Sequence, residues 1–373
     1  MISKSFRHAA VAAAVVAAST GASLSAQAAT PHGKIVFSRA QQGGDDAFPR
    51  SRDLWMLDLD SGQVRALTTS TDRVFDAVAT WAPNGSGFVF DRGSTRIRAD
   101  ETHTLQYLRA DGTHQRAVLR GMGSFSLPAW GPTGDRIAYI ANARTGNCVS
   151  LTDATGRVHR SLFCVAAATE LARPQWSKDG SQLFVAANAP EGELEPVFHA
   201  QAYRIDVATG RATLLSDIVM YEPLQLTFSP DGTRGVYADV VANDMTLVDF
   251  RNGAATALPR GHAPSWSPDG KRIAYSGEIY ETTGATFRYY EPLYVMNADG
   301  THVRRLTDSR VDNHAYLPAQ WSKDNVHVLV NRRTWTDGSL THAIEALRIV
   351  DANTRELKQL PAGYAEQGAW FEP

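Results

Sequence analysis

The sequence predicts an all-β fold, a seven-bladed β-propeller of four-stranded antiparallel blades, on three observations. A twelve-residue phrase recurs along the chain, a second hairpin follows each copy, and the two ends hold complementary halves of one more unit. The clearest copy is "SWSPDGKRIAYS", Ser265 to Ser276. Others are "TWAPNGSGFVFD" from Thr80, "AWGPTGDRIAYI" from Ala129, "QWSKDGSQLFVA" from Gln175, "TFSPDGTRGVYA" from Thr227 and "QWSKDNVHVLVN" from Gln320. Their anchoring aromatics, Trp81, Trp130, Trp176, Phe228, Trp266 and Trp321, stand 38 to 55 residues apart. That is the period of a propeller blade, not of a helix pair.

Each part of the phrase has a physical task. The aromatic and the residues before it form an inner strand, and its ring fills the space between neighbouring sheets. Pro, Asn or Asp and Gly then turn the chain tightly, glycine accepting the positive φ that other residues resist. Arg272-Ile273-Ala274-Tyr275 and its counterparts alternate sides as a strand does. The second hairpin is plainest in "LYVMNADGTHVRRLT" from Leu293, turning at Asp299-Gly300. Its counterparts turn at Ser61-Gly62, Asp111-Gly112, Thr155-Gly156, Thr209-Gly210, Asn252-Gly253 and Asn353-Thr354. Two hairpins per unit make four antiparallel strands.

The ends supply the last unit. "GAWFEP" begins the phrase at Trp370 without its second strand, and "GKIVFSR" from Gly33 is a second strand with nothing before it. Pairing them closes the ring and leaves no open sheet edge.

Before Gly33 the chain is different material. Lys4, Arg7 and His8 precede an apolar run, Ala9 to Ala18, too short to span a bilayer, and Ala26-Gln27-Ala28 offers small residues for a signal peptidase. Residues 1–28 read as a cleavable signal and 29–373 as one propeller domain. No cysteine stands near the cleavage point for a lipid anchor, so the expected product is periplasmic or secreted. Two cysteines remain, Cys148 and Cys164, equidistant from Gly156 in a strand–turn–strand segment. Opposed on a hairpin in an oxidising compartment, they are expected to form a structural disulfide.

The phrase and hairpin together, "WSPDGKRIAYSG" and "LYVMNADGTHVRRLTD", resemble the WD40-like propeller repeat of the periplasmic TolB family over nearly all of the mature chain. The resemblance implies a soluble envelope protein whose propeller is a docking surface. TolB itself carries six blades behind an α/β domain and acts with the peptidoglycan-associated lipoprotein. Here hardly any residues separate the signal from Lys34, so that domain is not expected and the Tol-Pal role does not follow. Similar repeats precede the hydrolase domain of prolyl oligopeptidase-type peptidases and occur in oligogalacturonate lyases.

Several activities lack their residues. A net charge of -2 with no basic block gives nucleic acid and acidic membranes nothing to bind. There is no Gly-x-Ser-x-Gly elbow, no His-Glu-x-x-His and no Gly-rich nucleotide turn. "DLDSG" from Asp58 has the opening of a calcium loop without the rest, and reads as a hairpin turn.

Two groups of candidate residues remain. Residues preceding the anchoring aromatics should gather at the channel mouth: Asp76, Glu170, Glu222, His262, His314, Tyr316 and Glu366. They read either as a solvated rim or as a site for a protein, a glycan or a divalent cation, with His262 and His314 as the metal ligands. A carboxylate or imidazole there could also serve a lyase as base. The second group lies in loops beyond the repeat, "QQGGDDAFPRSRD" from Gln41, "NAPEGELEPVFHA" from Asn188 and "GEIYETTGATFRYYEP" from Gly277. These lengthen blades one, four and six, and loops on rigid scaffolds carry recognition. The last holds Tyr280, Phe287, Arg288 and Tyr289, types enriched at binding hot spots, although Tyr289-Tyr290 could equally start the next strand. The expectation is a monomeric, non-enzymatic binding module with no cofactor beyond such a cation. A metal-assisted polysaccharide lyase is the alternative.

Overall fold

In a computed structural model of the chain, the described residues are 30–40, 51–71, 74–95, 101–119, 124–191, 197–220, 225–239, 241–283, 286–308, 314–335, 343–360 and 366–373. The predicted signal lies outside them. Every regular element among them is a strand, so the protein is all-β.

The strands pair in chain order with their immediate neighbours. Lys34–Ala40 pairs with Arg52–Asp58, and that with Val64–Ala66. Val74–Trp81, Gly87–Thr95, Glu101–Arg109 and Arg116–Ala117 form the next group, touching the first through a single parallel bridge, Arg52 to Phe75. Ser124–Trp130, Ile137–Ala143, Gly146–Thr152 and His159–Val165 follow. Gln175–Trp176 and Glu170–Leu171 both pair with Gln182–Glu191, which leads to Val197–Asp206 and Ala212–Met220. Three further groups open with Gln225–Phe228, His262–Trp266 and His314–Trp321. Glu366–Phe371 pairs antiparallel with Lys34–Ala40, Trp370 opposite Ile35, as the half-phrases at the two ends require.

Local chemistry explains why the phrase turns where it does. In "WSPDG", the Ser267 hydroxyl donates to Asp269 Oδ1 at 2.6 Å and accepts from the Arg272 N–H at 2.9 Å. Asp269 Oδ1 in turn accepts from the Lys271 N–H at 3.1 Å. Ser177 with Asp179, Ser229 with Asp231 and Ser322 with Asp324 repeat the arrangement. Short polar side chains thus take over backbone groups that a tight turn leaves unpaired. Gly270 takes φ 68°, and where the last phrase has no glycine Asn325 takes φ 64°, the substitute best tolerated there. "DLDSG" is such a turn, Asp58 Oδ1 accepting from the Ser61 N–H and hydroxyl, both at 2.9 Å.

The sheets are apolar on both faces, which is why their second strands read as continuous runs such as Ile35-Val36-Phe37. Ile35 and Phe37 pack on one neighbour, with Leu329, Leu347 and Trp370. Val36 packs on the other, with Trp81 and Phe88. Later sheets repeat this, Val236 meeting Trp266 and Ile273, and Ala274 meeting Trp321 and Val328. Several indoles also donate across the gap to a backbone carbonyl, Trp176 to Ala129 at 2.9 Å, Trp321 to Ser265 at 3.0 Å and Trp81 to Ala369 at 3.0 Å, whereas Trp130 donates to Gly134 within its own turn at 3.1 Å. The acceptor across the gap is the residue just before the previous aromatic, so one ring supplies both area and register.

Cys148 and Cys164 are joined, with Cα atoms 4.1 Å apart. Their opposition is less direct than equal spacing from Gly156 implies. Thr152 pairs with His159, and a bulge between Val149 and Ser150 shifts the register so that Cys148 meets Cys164.

The two ends of the strands differ. Phrase turns and second-hairpin turns share one end, here the turn face. The inner strands begin at the other, the loop face, where the second and third strands of each sheet connect. Gln182–Glu191 and Val197–Asp206 extend the hairpin foreseen from Asn188. Of the loop from Gln41, residues 41–50 lie outside the described residues, and Arg52 and Asp53 already belong to the strand Arg52–Asp58. Two long hairpins were not foreseen, Gly87–Thr95 with Glu101–Arg109 and His327–Trp335 with Ala343–Asp351. The segment from Gly277 is a hairpin of its own, Ile279–Thr283 with Thr286–Tyr290. Tyr289 and Tyr290 belong to it and not to the following strand, Leu293–Asn297.

Candidate functional site

The predicted mouth residues meet different fates. Asp76 is fully buried and spent on Arg92, whose Nε and Nη2 lie 2.6 and 2.7 Å from its two oxygens, with the Ser70 hydroxyl at 3.3 Å. Hydrogen bonding to Asp76 holds the Arg92 guanidinium above its ordinary pKa. Glu170 is exposed on its two-residue strand, opposite Asn188. Glu222 lies outside the described residues, and of Glu366 only the backbone, paired to Ser38, is described. His314 is buried against the Arg332 guanidinium, with the Thr334 hydroxyl 2.9 Å from Nδ1 and the buried Tyr316 ring edge-on at 6.2 Å.

His262 has other company. Its Nε2 stands 3.2 Å from Glu291 Oε2, and the Ser276 hydroxyl donates to the same oxygen at 3.4 Å. Ligand atoms of His262, Glu278 and Glu291 all lie within 4.8 Å of one another. The Tyr289 hydroxyl reaches both carboxylates, Glu278 Oε1 at 2.9 Å and Glu291 Oε1 closer still. Tyr280 donates to Glu278 Oε2 at 2.9 Å, its ring 5.1 Å from that of Tyr289. The two predicted histidines therefore do not share one ligand set: His262 joins two glutamates, and His314 faces Arg332 and Thr334. For Phe287 and Arg288 the backbone alone is described, opposite Thr282 and Glu281.

The hairpin builds this cluster. Glu278 and Glu291 flank it symmetrically, one residue outside the Ile279–Tyr290 pair, and Tyr280 opposes Tyr289. Glu291 is also clamped to the next sheet, its N–H donating to the His314 carbonyl at 3.1 Å and its carbonyl accepting from the Tyr316 N–H at 2.9 Å. Burial pushes the Glu291 carboxyl up, but hydrogen bonds from His262 and Tyr289 outweigh it and leave the group below its usual value. Burial, then the Glu291 and Glu278 carboxylates, push the Tyr289 phenol far up, so it stays protonated. Glu278 and Glu291 were missed in the sequence. The signal that could have found them was the near-palindrome of "EIYETTGATFRYYE" about its Gly-Ala.

A separate cavity of about 720 Å³ opens among the inner strands nearer the turn face, lined by Thr80, Arg173, Gln320, Lys323 and Glu372 among others. Lys323 is tied to Glu372 there. Arg173 keeps an exposed surface yet is encircled by protein, and desolvation pushes it down to about 10 against the pull of Asp91. It remains charged at neutral pH.

No family model matches the chain. An uncharacterized peptidase, YuxL, of Bacillus subtilis (strain 168) is 30% identical over 171 residues, 43% of this chain and 22% of that protein. The chain thus matches less than a quarter of that relative's length. Among solved structures, an oligogalacturonate lyase in complex with manganese superposes with a TM-score of 0.59 at 13% identity, covering 89% of this chain and 86% of that one. The β-propeller domain of the Trilobed protease from Pyrococcus furiosus superposes with a TM-score of 0.51 at 14% identity, over 78% and 84% of the two chains. At such identities the likeness establishes the fold: this chain is a β-propeller.

Proposed function

We propose that the protein is an exported binding module of the TolB-like kind, a seven-bladed ring sealed by its first and last strands, that recognises an envelope protein or glycan with its loop face. One observation carries the reading. The long hairpins, the exposed Tyr280 and Val241, and the described mouth residues stand on one face, while the other is built of short turns bonded to themselves and their neighbours. Recognition concentrates where a rigid scaffold presents long, variable connections. Export rests on the Ala9–Ala18 run with its small-residue exit and on the disulfide, a bond kept in oxidising compartments.

In-cell photo-crosslinking tests it. A photoreactive residue at Tyr280 or Val241 should trap a discrete partner, whereas one at Val158 or Val303, exposed beside second-hairpin turns, should not. Equal or reversed trapping sinks the reading.

A second reading, a polysaccharide lyase working from the channel mouth, is favoured by the convergence of His262, Glu278, Glu291 and Tyr289. The set holds a phenol and carboxylates within hydrogen-bond reach of each other, the pairing an acid–base elimination needs. Its test is the ultraviolet absorbance of unsaturated product released from oligogalacturonate.

A further inference from the structure

We propose that His262, Glu278 and Glu291 form a binding site for one first-row divalent cation of the Mn²⁺ or Zn²⁺ class. The site deepens the lyase reading yet stands without it, because an ion pinning the hairpin would equally serve a docking face.

Proton bookkeeping is the first argument. Tyr289 has one hydroxyl proton, and two carboxylate oxygens lie within hydrogen-bond distance of it. It can satisfy only one at a time. Tyr280 and Ser276 each give a proton to an outer oxygen, and His262 faces Glu291. Two carboxylates thus converge with Arg333 as the further cationic group acting on Glu291. A close carboxylate pair calls for a shared proton or a cation between its members.

Placement is the second argument. The three ligands come from three separately anchored points: the start of the inner strand His262–Trp266, the entry to the hairpin and its exit. Glu291 is fixed by two backbone hydrogen bonds to the next sheet, and a Gly277 N–H to Pro292 carbonyl bond of 3.0 Å closes the hairpin base. His262 and Glu291 are buried and Glu278 half-buried, so the pocket is walled on two sides and open on one. Metal bonds of about 2.0–2.2 Å put ligand atoms of one sphere about 3–4 Å apart. The ligand atoms now lie within 4.8 Å of one another, so binding an ion draws them closer together. One imidazole with two carboxylates suits Mn²⁺ or Zn²⁺, whereas Ca²⁺ and Mg²⁺ favour oxygen alone.

The test uses the full mature chain stripped with a chelator and dialysed, titrated calorimetrically with MnCl₂, ZnCl₂ and CaCl₂ and melted with and without each salt. One equivalent of Mn²⁺ or Zn²⁺ should bind and raise the melting temperature, with Ca²⁺ at least about tenfold weaker. Glu278→Gln should weaken binding by about tenfold or more, and its metal-free melt, recorded alongside because Glu278 also accepts from Tyr280 and Tyr289, separates lost binding from lost folding. Tyr289→Phe keeps all three ligands and should still bind. No heat below about 1 mM metal, a Glu278→Gln variant that binds like the parent, or equal affinity for Ca²⁺ each overturns the proposal. Oligogalacturonate cleavage is scored apart: binding without cleavage leaves the metal site standing and removes the lyase reading, and cleavage without binding does the reverse.

Discussion

The turn face and the loop face of this protein use the same residue types in opposite ways. On the turn face, aspartates meet partners two to four residues away: Asp179 takes hydrogen bonds from the Ser177 and Ser181 hydroxyls, Asp249 from the Arg251 N–H and guanidinium, and Asp153 from the Arg157 N–H. The Asp179 and Asp249 carboxyls are held down to about 2 by those bonds. Arginines then stitch each sheet to the next: Arg65 donates to the Ala110 and Asp111 carbonyls, Arg160 to Ala208, and Arg304 to Ala352 and Asn353. On the loop face, acids meet partners from other strands, as Glu291 meets His262 and Asp76 meets Arg92. The first face spends its polar groups on holding its own shape. The second gathers them from separate strands, buried or half-buried at the mouth. Division of labour between scaffold and site is therefore written in hydrogen-bond range.

The comparison implies that the two faces respond differently to damage. Trp321→Ala, which removes a buried ring and its bond to the Ser265 carbonyl, should cost about 3–5 kcal/mol in urea unfolding. Tyr280→Ala on the loop face should stay within about 0.5 kcal/mol. Similar losses at both sites would erase the distinction.

Reducing the Cys148–Cys164 bridge, with its separation of 16 residues, should lower stability by about 3 kcal/mol on the chain-entropy account. Melts with and without reductant measure it. This tie sits near the loop-face end of a sheet whose second and third strands join by a short turn, so a large effect sharpens the contrast by showing that this end also needs bracing.

Ser267→Ala removes one hydroxyl that serves two bonds of a phrase turn and should cost about 1 kcal/mol. A null result would mean that Asp269 and the backbone hold the turn without it.

The smallest effect per residue is the acid response. Folded pKa values of the turn-face aspartates lie below their unfolded ones, so their contribution is complete above the unfolded pKa of about 3.9. It is lost as pH falls through the folded values, about 2 for Asp179 and Asp249. Melting temperature should accordingly drop between about pH 4 and pH 2, and the drop should be shallower in variants with alanine at these positions, which start from a lower value at neutral pH. These groups are solvent-exposed, so each contributes little and the drop is a sum over many turns.

What the sequence determined by itself was everything of short range. The phrase, its turns and the second hairpins were legible because the Ser–Asp bonds, the positive φ at glycine or asparagine and the period-two apolar runs all act within a few residues. Pairing of the chain ends was legible for the same reason, each end being half of a unit seen complete elsewhere. The tertiary structure alone decided the site. His262 and His314 each open the inner strand of consecutive sheets, yet one faces glutamates and the other an arginine, because the Ile279–Tyr290 hairpin follows the first and not the second. Which charges meet at the mouth depends on how neighbouring sheets are placed. That placement is set by apolar surfaces and indole bonds, which are blind to the polar residues they bring together.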